Sequence, residues 1–212
     1  MPILKLQSIG NDQAWAYWQI QESERELSYL AQESCPDEIL FPQKRLEWLA
    51  GRALIRALVE NCGLEYHGLR KNEFGKPFLK THPHQISLSH SFPYVAAQID
   101  RHQSVGIDLE EPKEKLRKIA PRIFSQTEVD DAGNDLVKLC IYWCAKEALY
   151  KIHGKRNVLF TDHLQVNPFT LAKSGSLSGA IHFAENTSTV NLNYLVMKDF
   201  VVVYTQSQIT GK

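Results

Sequence analysis

The 212-residue chain has no excess of charge: 24 lysines and arginines stand against 24 aspartates and glutamates. General nucleic-acid and membrane-surface binders carry a basic excess, so any basic site here is local, and neither partner is expected. No apolar run approaches the roughly 18 residues of a membrane span, and the N-terminus lacks the charged, apolar, small-residue order of a signal peptide. The expectation is a cytoplasmic protein. The four cysteines, Cys35, Cys62, Cys140 and Cys144, have no metal-finger spacing, and the last two sit in an apolar stretch as core thiols. A G-x-x-x-x-G-K-[ST] phosphate loop and a G-x-S-x-G elbow are both missing, which removes two common enzyme frameworks. With 43% hydrophobic and 23% charged residues, the chain can still bury the core of a globular protein.

What is present begins with a helix. Leu139 to Ala145 runs seven residues without a charge, so Leu136 to Gly154 reads as largely buried. Lys146, Glu147 and Lys151 are set into it. Ionised groups taken out of water cost several kcal/mol each unless an opposite charge, a metal or a ligand meets them. Glu147 and Lys151 stand one turn apart on one face, although such a pair also commonly decorates a solvated helix. Val105 to Glu111 shifts the balance. Strand alternation puts Asp108 and Glu110 on one side and Ile107 and Leu109 on the other. Two carboxylates so placed repel unless a cation lies between them, and a third from a helix would complete a hard-cation site. Mg²⁺ takes few carboxylates and fills its octahedron with water and substrate phosphate oxygens, so the constellation suggests a metal that holds a phosphate ester.

Taken in order, the first 20 residues predict two strands, one around Ile3, Leu4 and Leu6 and one from Trp15 to Ile20. Glu22 to Ser34 predicts a polar helix ending at Cys35-Pro36-Asp37. From Lys44 to Asn61, apolar residues at helical spacing predict an amphipathic helix stopped by Asn61-Cys62-Gly63. Arg45, Arg52 and Arg56, at offsets of 7 and 11, fall within about 20° of one line on that helix. They form a basic stripe that either covers the core edge with its stems or, for Arg45 and Arg52, meets phosphate. A second basic segment with Lys71 follows, in which Gly75 and Pro77 present Lys76 from a rigid turn between strands. In His84 to Pro93, Ile86 and Leu88 point one way and Ser87 and Ser89 the other, leading into His90 and Ser91. Hydroxyls and an imidazole there suit a phosphate; adjacent residues facing opposite ways do not suit a Ser-His hydrolase. Tyr94 to Ile99 and Val105 to Leu109 predict strands able to pair as a hairpin. Lys113 to Arg122 is locally basic, Ser125 to Glu128 fits a capping box, and Asn134 is placed to cap the long helix. Beyond Gly154, strands are expected at Val158–Phe160, His163–Val166, Ala180–Phe183, Val190–Met197 and Phe200–Tyr204.

In order, the motifs Gly51-Arg-Ala-Leu-Ile-Arg56, Gly75-Lys-Pro77, Ser87-Leu-Ser-His-Ser91, Gly106-Ile-Asp-Leu-Glu110, Phe124-Ser-Gln-Thr-Glu128 and Trp143-Cys-Ala-Lys-Glu-Ala-Leu-Tyr-Lys151 resemble the 4′-phosphopantetheinyl transferase superfamily in its longer, Sfp-like form. The resemblance covers residues 44 to 155. It implies an α+β fold of two similar α/β halves, each a long helix against a small antiparallel sheet, related by a pseudo-twofold axis. The halves would be residues 1–103 and 104–212, with the active site at their interface in a monomer. It implies Mg²⁺-dependent transfer of phosphopantetheine from coenzyme A to a serine of an acidic acyl or peptidyl carrier protein, releasing 3′,5′-ADP. Asp108, Glu110 and Glu147 would hold the metal, with Glu147 and Lys151 catalytic. Arg45, Arg52, Lys71, Gly75, Lys76, Pro77, Ser89 and His90 would meet coenzyme A, and Lys113–Arg122 would dock the carrier. Relatives commonly carry a basic residue for the 3′-phosphate four positions before the helix glycine. Here that position is Glu47, with Lys44, Arg45 and Arg52 as neighbouring candidates.

Overall fold

The computed structural model describes residues 3–8, 12–183 and 186–206. The chain forms two compact units, Met1–Val105 and Gly106–Gln206.

In the first unit, β1 (Ile3–Ser8), β2 (Gln13–Gln19), β5 (Gln85–Ser91) and β6 (Tyr94–Asp100) make an antiparallel sheet in the order β1-β2-β6-β5. The inner strands β2 and β6 are buried along almost their whole length. Helix α1 (Glu24–Ala31) starts at a capping box in which Ser23 accepts from the Glu26 amide and Glu26 accepts from Ser23. It ends three residues before the predicted Ser34, because Gln32 turns left-handed at φ 53°. Helix α2 (Pro42–Asn61), opened by a first-turn proline, lays Leu49, Ala50, Ala53, Leu54 and Leu58 on the sheet. The short hairpin of β3 (Leu69–Lys71) and β4 (Pro77–Leu79) carries the predicted turn. Gly75 has φ +89°, and Asn72 Oδ1 accepts from the amides of Phe74 and Lys76 at 3.0 and 2.9 Å.

The second unit is a five-stranded antiparallel sheet in the order β7-β11-β10-β9-β8, built from β7 (Ile107–Glu110), β8 (Leu164–Val166), β9 (Ser174–Phe183), β10 (Asn186–Val196) and β11 (Val201–Thr205). Helix α5 (Leu136–His153) packs on it, burying Leu139, Ile141, Tyr142, Ala145, Ala148 and Leu149 against Leu164, Leu177, Leu192, Val201 and Val203. Cys140 and Cys144 are free and fully buried, as core thiols should be. Gly106 sets the depth of this packing: a Cβ there would lie 2.0 Å from the Ala148 carbonyl oxygen, so only glycine lets the helix backbone come so close to the start of β7.

The fold is α+β, with each unit a long helix on an antiparallel sheet. Three local expectations differ from it, and one segment with no expected element is a helix. β6 and β7 do not form a hairpin: β6 is flanked by β2 and β5, and β7 pairs with β11. Lys115–Ile123 is a helix, α3, despite Pro121 inside it, with Leu116 and Ala120 buried. The strand expected at Val158–Phe160 is absent, and Phe160–His163 is a short helical turn, α6. The cap of α5 is Asp135, whose Oδ1 accepts from the Lys138 amide at 3.0 Å, and not Asn134. The predicted box at Ser125 does open α4 (Gln126–Ala132).

Candidate active site

The acidic centre belongs to the second unit. β7 presents Asp108, which is buried, and Glu110, which is half-buried; α5 presents Glu147 and Lys151. Lys151 does not pair with Glu147 on its own helix. Its Nζ donates to Asp108 Oδ1 at 2.7 Å and to the Ile107 carbonyl at 2.8 Å. Glu147 is left among like charges. Burial, then the Asp108 charge, push its carboxyl up; Lys151 opposes them, Glu110 adds a further push, and the result is about 7.

Among the described residues, no three acidic, histidine or cysteine side chains are gathered closely enough to grip a cation as they stand. The donor chemistry nonetheless fits a hard divalent ion. Three carboxylates crowd one another until one of them resists ionising, and the Lys151 ammonium already acts as the cation at Asp108.

Lys146, next to Glu147, has a different task. It is fully buried and forms an ion pair with buried Glu128 at 2.7 Å, donating also to the carbonyls of Ile123 and Phe160 at 3.0 and 2.8 Å. Glu128 completes the α4 capping box and accepts from the Val166 amide at 2.8 Å. This network ties α3, α4 and α6 to α5 and fixes the helix that carries Glu147. The sequence held its signal: a lysine in a buried helix demands a carboxylate.

In the first unit the arginine stripe proves to be a seam. Arg45 donates to Glu24 and to the carbonyls of Pro36 and Ile39 at 3.1 and 2.9 Å. Arg52 bonds Glu33 at 3.1 Å and lies 3.2 Å over the Trp48 ring, while Arg56 bonds Glu60 and the Leu30 carbonyl. All three hold α1 and the segment after it against α2. Arg45 thus serves the fold through all three of its nitrogens and Arg52 through Nε and Nη1. Lys44 is the exposed neighbour, joined at 2.6 Å to Glu47, which is only 2% exposed. Glu47 also accepts from Gln43 at 3.2 Å and lies 3.3 Å from His90 Nδ1. Burial raises the Glu47 carboxyl, but the bonds from Lys44 and Gln43 and the His90 charge outweigh it and leave the carboxyl below its ordinary value. Ser89 is buried beside His90 on β5; Lys71 is exposed at the end of β3; Lys76 is half-buried between Gly75 and Pro77, and burial pulls its ammonium down.

An all-oxygen acidic cluster beside an ammonium group is the kind of centre that handles phosphate esters through a hard cation. Comparison with known proteins gives the family. The 4′-phosphopantetheinyl transferase superfamily matches residues 104–205. The 4′-phosphopantetheinyl transferase Sfp of Bacillus subtilis (strain 168) is 31% identical over 157 residues, 69% of this chain and 70% of Sfp. The 4′-phosphopantetheinyl transferase gsp of Aneurinibacillus migulanus is 34% identical over 134 residues, 59% of this chain but 54% of that protein. The chain thus spans little more than half the length of one relative and two thirds of the other. It belongs to the 4′-phosphopantetheinyl transferase superfamily and is of the Sfp-like type. No described helix is long and apolar enough to cross a membrane.

Proposed function

We propose that the protein transfers the 4′-phosphopantetheine moiety of coenzyme A to a serine of an acyl or peptidyl carrier protein, releasing 3′,5′-ADP. The observation that carries this is the grouping of Asp108, Glu110, Glu147 and Lys151 on β7 and α5, inside the stretch that matches the family. The serine oxygen of the carrier attacks the phosphorus that bears the pantetheine arm. A new P–O bond forms there as the bond to 3′,5′-ADP breaks. Glu147, directly or through water, takes the serine proton. Lys151, held at Asp108, neutralises or protonates the departing phosphate. Asp108, Glu110 and Glu147 would hold Mg²⁺, which when bound supplies positive charge to the diphosphate oxygens.

Lys76, Ser89 and His90, with Gly75 and Pro77 shaping the turn, are the coenzyme A contacts we assign in the first unit. Lys71 is a peripheral one, and Lys44 takes the role sought for Arg45 and Arg52. The outer face of α3 exposes Lys115, Arg117, Lys118 and Arg122, a basic surface for an acidic carrier. The test is release of 3′,5′-ADP from coenzyme A with an apo carrier against the same carrier with its serine changed to alanine. Release with the first alone supports transfer. Release with neither, despite coenzyme A binding, would make this a binding protein.

A further inference from the structure

His84, just ahead of β5, is 4% exposed, and among the described residues neither of its ring nitrogens has a hydrogen-bond partner. One carboxylate faces it. Asp12, one residue ahead of β2, places Oδ1 3.6 Å from Nε2, beyond hydrogen-bond reach. The same carboxylate has two further basic neighbours, from the segment after β6: Arg101 Nη1 lies 3.6 Å from Oδ1, and His102 Nε2 lies 3.7 Å from Oδ2. The His82 ring stands edge-on to His84 with centroids 6.4 Å apart, and the Cys62 thiol, at the end of α2, feels the Asp12 charge. Asp100, closing β6, already accepts from the amides of His102 and Gln103 and from the Gln103 side chain. At neutral pH this corner sets one carboxylate against one guanidinium. In acid, protons on His84 and His102 would put three cations around Asp12, and the charge on His84 would be buried without a hydrogen bond. Burial lowers the proton affinity of His84; Asp12 opposes that pull, Arg101 and His82 add to it, and the ring is held below its ordinary 6.5.

We propose that His84 is an acid-sensitive latch: its neutral ring keeps Asp12 and the Arg101–His102 segment closed against the start of β5, and its protonation opens that corner to water. The proposal rests on the packing of the first unit alone and not on the proposed function. The groups around the ring are the ones able to yield, since the side chains of Asp12, Arg101 and His102 are 39%, 56% and 43% exposed. The Arg101 amide, which donates to the Asp12 carbonyl at 3.1 Å, reports whether the corner is closed. The closed state binds the His84 proton less tightly than the open one. Closure is therefore complete above about pH 6.5 and weakens as pH falls below it.

The test is native-state amide hydrogen exchange of the whole chain at pH 7.5 and 5.5, with His84→Phe and His102→Gln beside the wild type. Protection factors of the Arg101 amide and of Gln85 and Ile86 should fall about fivefold in the wild type between the two pH values, about tenfold being the ceiling for uptake of one proton. Leu54, in the middle of α2, serves as the reference and should change less than twofold. In His84→Phe the fall should shrink to within about twofold, and in His102→Gln most of it should remain. Wild-type protection that is the same at both pH values overturns the proposal. So does a fall that survives in His84→Phe, or one that disappears in His102→Gln alone. If His84→Phe does not fold, ¹⁵N NMR of the wild-type rings decides: His84 titrating below 6.5, in step with the loss of protection, supports the latch, and His84 titrating at or above 6.5 overturns it.

Discussion

Lys151 reaches across from α5 to Asp108 on β7, with Nζ 2.7 Å from Oδ1, and leaves Glu147, one turn away on its own helix, without that pairing. The cross-element bond joins the strand that carries two carboxylates to the helix that carries the third. Lys151→Met is expected to lower transfer by about 10²–10⁴-fold, the usual effect of removing a positioned acid or electrophile. It also strips buried Asp108 of a charged partner, at about 1–3 kcal/mol of unfolding free energy. Steady-state rates and urea unfolding on the same variant check both.

Glu147 gives a pH prediction for the metal-free protein. Its carboxyl sits at about 7 in the folded chain against an ordinary 4.5, so the folded state binds its proton more tightly than the unfolded one. The stability from this group is therefore complete below about 4.5 and lost as pH rises through about 7. Glu147→Gln should flatten that part of the stability curve, measured by urea unfolding from pH 5 to 8 with chelator. Mg²⁺ must displace the same proton, so wild-type protein should release protons on taking up the ion below pH 7, and Glu147→Gln should not. Identical proton release from the two proteins would contradict the assignment.

Gly106→Ala places a Cβ 2.0 Å from the Ala148 carbonyl oxygen, a backbone atom that can yield only if α5 lifts from β7. The loss expected is about 1–3 kcal/mol or more, with transfer falling further than stability explains because Glu147 moves with the helix. A midpoint unchanged in urea would show that the helix has room to spare.

Breaking the buried Lys146–Glu128 pair by Lys146→Met leaves a carboxylate with 1% exposure uncompensated, at a cost of about 3–5 kcal/mol. Adding Glu128→Gln should recover part of it, since the uncompensated charge is removed and the single amide oxygen keeps one of the two backbone bonds, from the Ser125 or the Val166 amide. A double-mutant cycle measures the recovery; strict additivity would mean the two residues do not communicate.

What could be read in the sequence was whatever its local pattern determines. The apolar spacing of α2, the uncharged run of α5, the Ser125–Glu128 box and the Gly75 turn all depend on neighbours a few residues away. The Asp108 and Glu110 alternation depends on nothing more than a strand. What escaped depends on distant partners. The arginine stripe on α2 left cover of the core edge and phosphate both open, because Glu24, Glu33 and the carbonyls of Pro36 and Ile39, which face it, lie on other segments. The basic character of Lys115–Ile123 and its internal Pro121 masked a helix, although its apolar residues Leu116, Ile119, Ala120 and Ile123 follow helical spacing. Lys151 faced two acids, and sequence spacing favoured Glu147 although the nearer oxygen lies on another element.

The seam formed by the stripe is itself testable. Arg45→Ala and Arg52→Ala should each lower stability by about 1–3 kcal/mol through lost bonds to α1 and the segment after it, and leave the KM for coenzyme A within about twofold. Lys44→Ala should do the reverse. A tenfold rise in KM for Arg52→Ala in a protein of unchanged stability would return that arginine to the phosphate.

The most direct measurement is the intact mass of an apo acyl carrier protein incubated with the protein, coenzyme A and Mg²⁺, run beside Asp108→Ala, Glu147→Ala and a chelator control. The account predicts a gain of about 340 Da, the phosphopantetheine arm, with wild type alone. No gain with several carriers, or a gain that survives loss of both carboxylates, would contradict it.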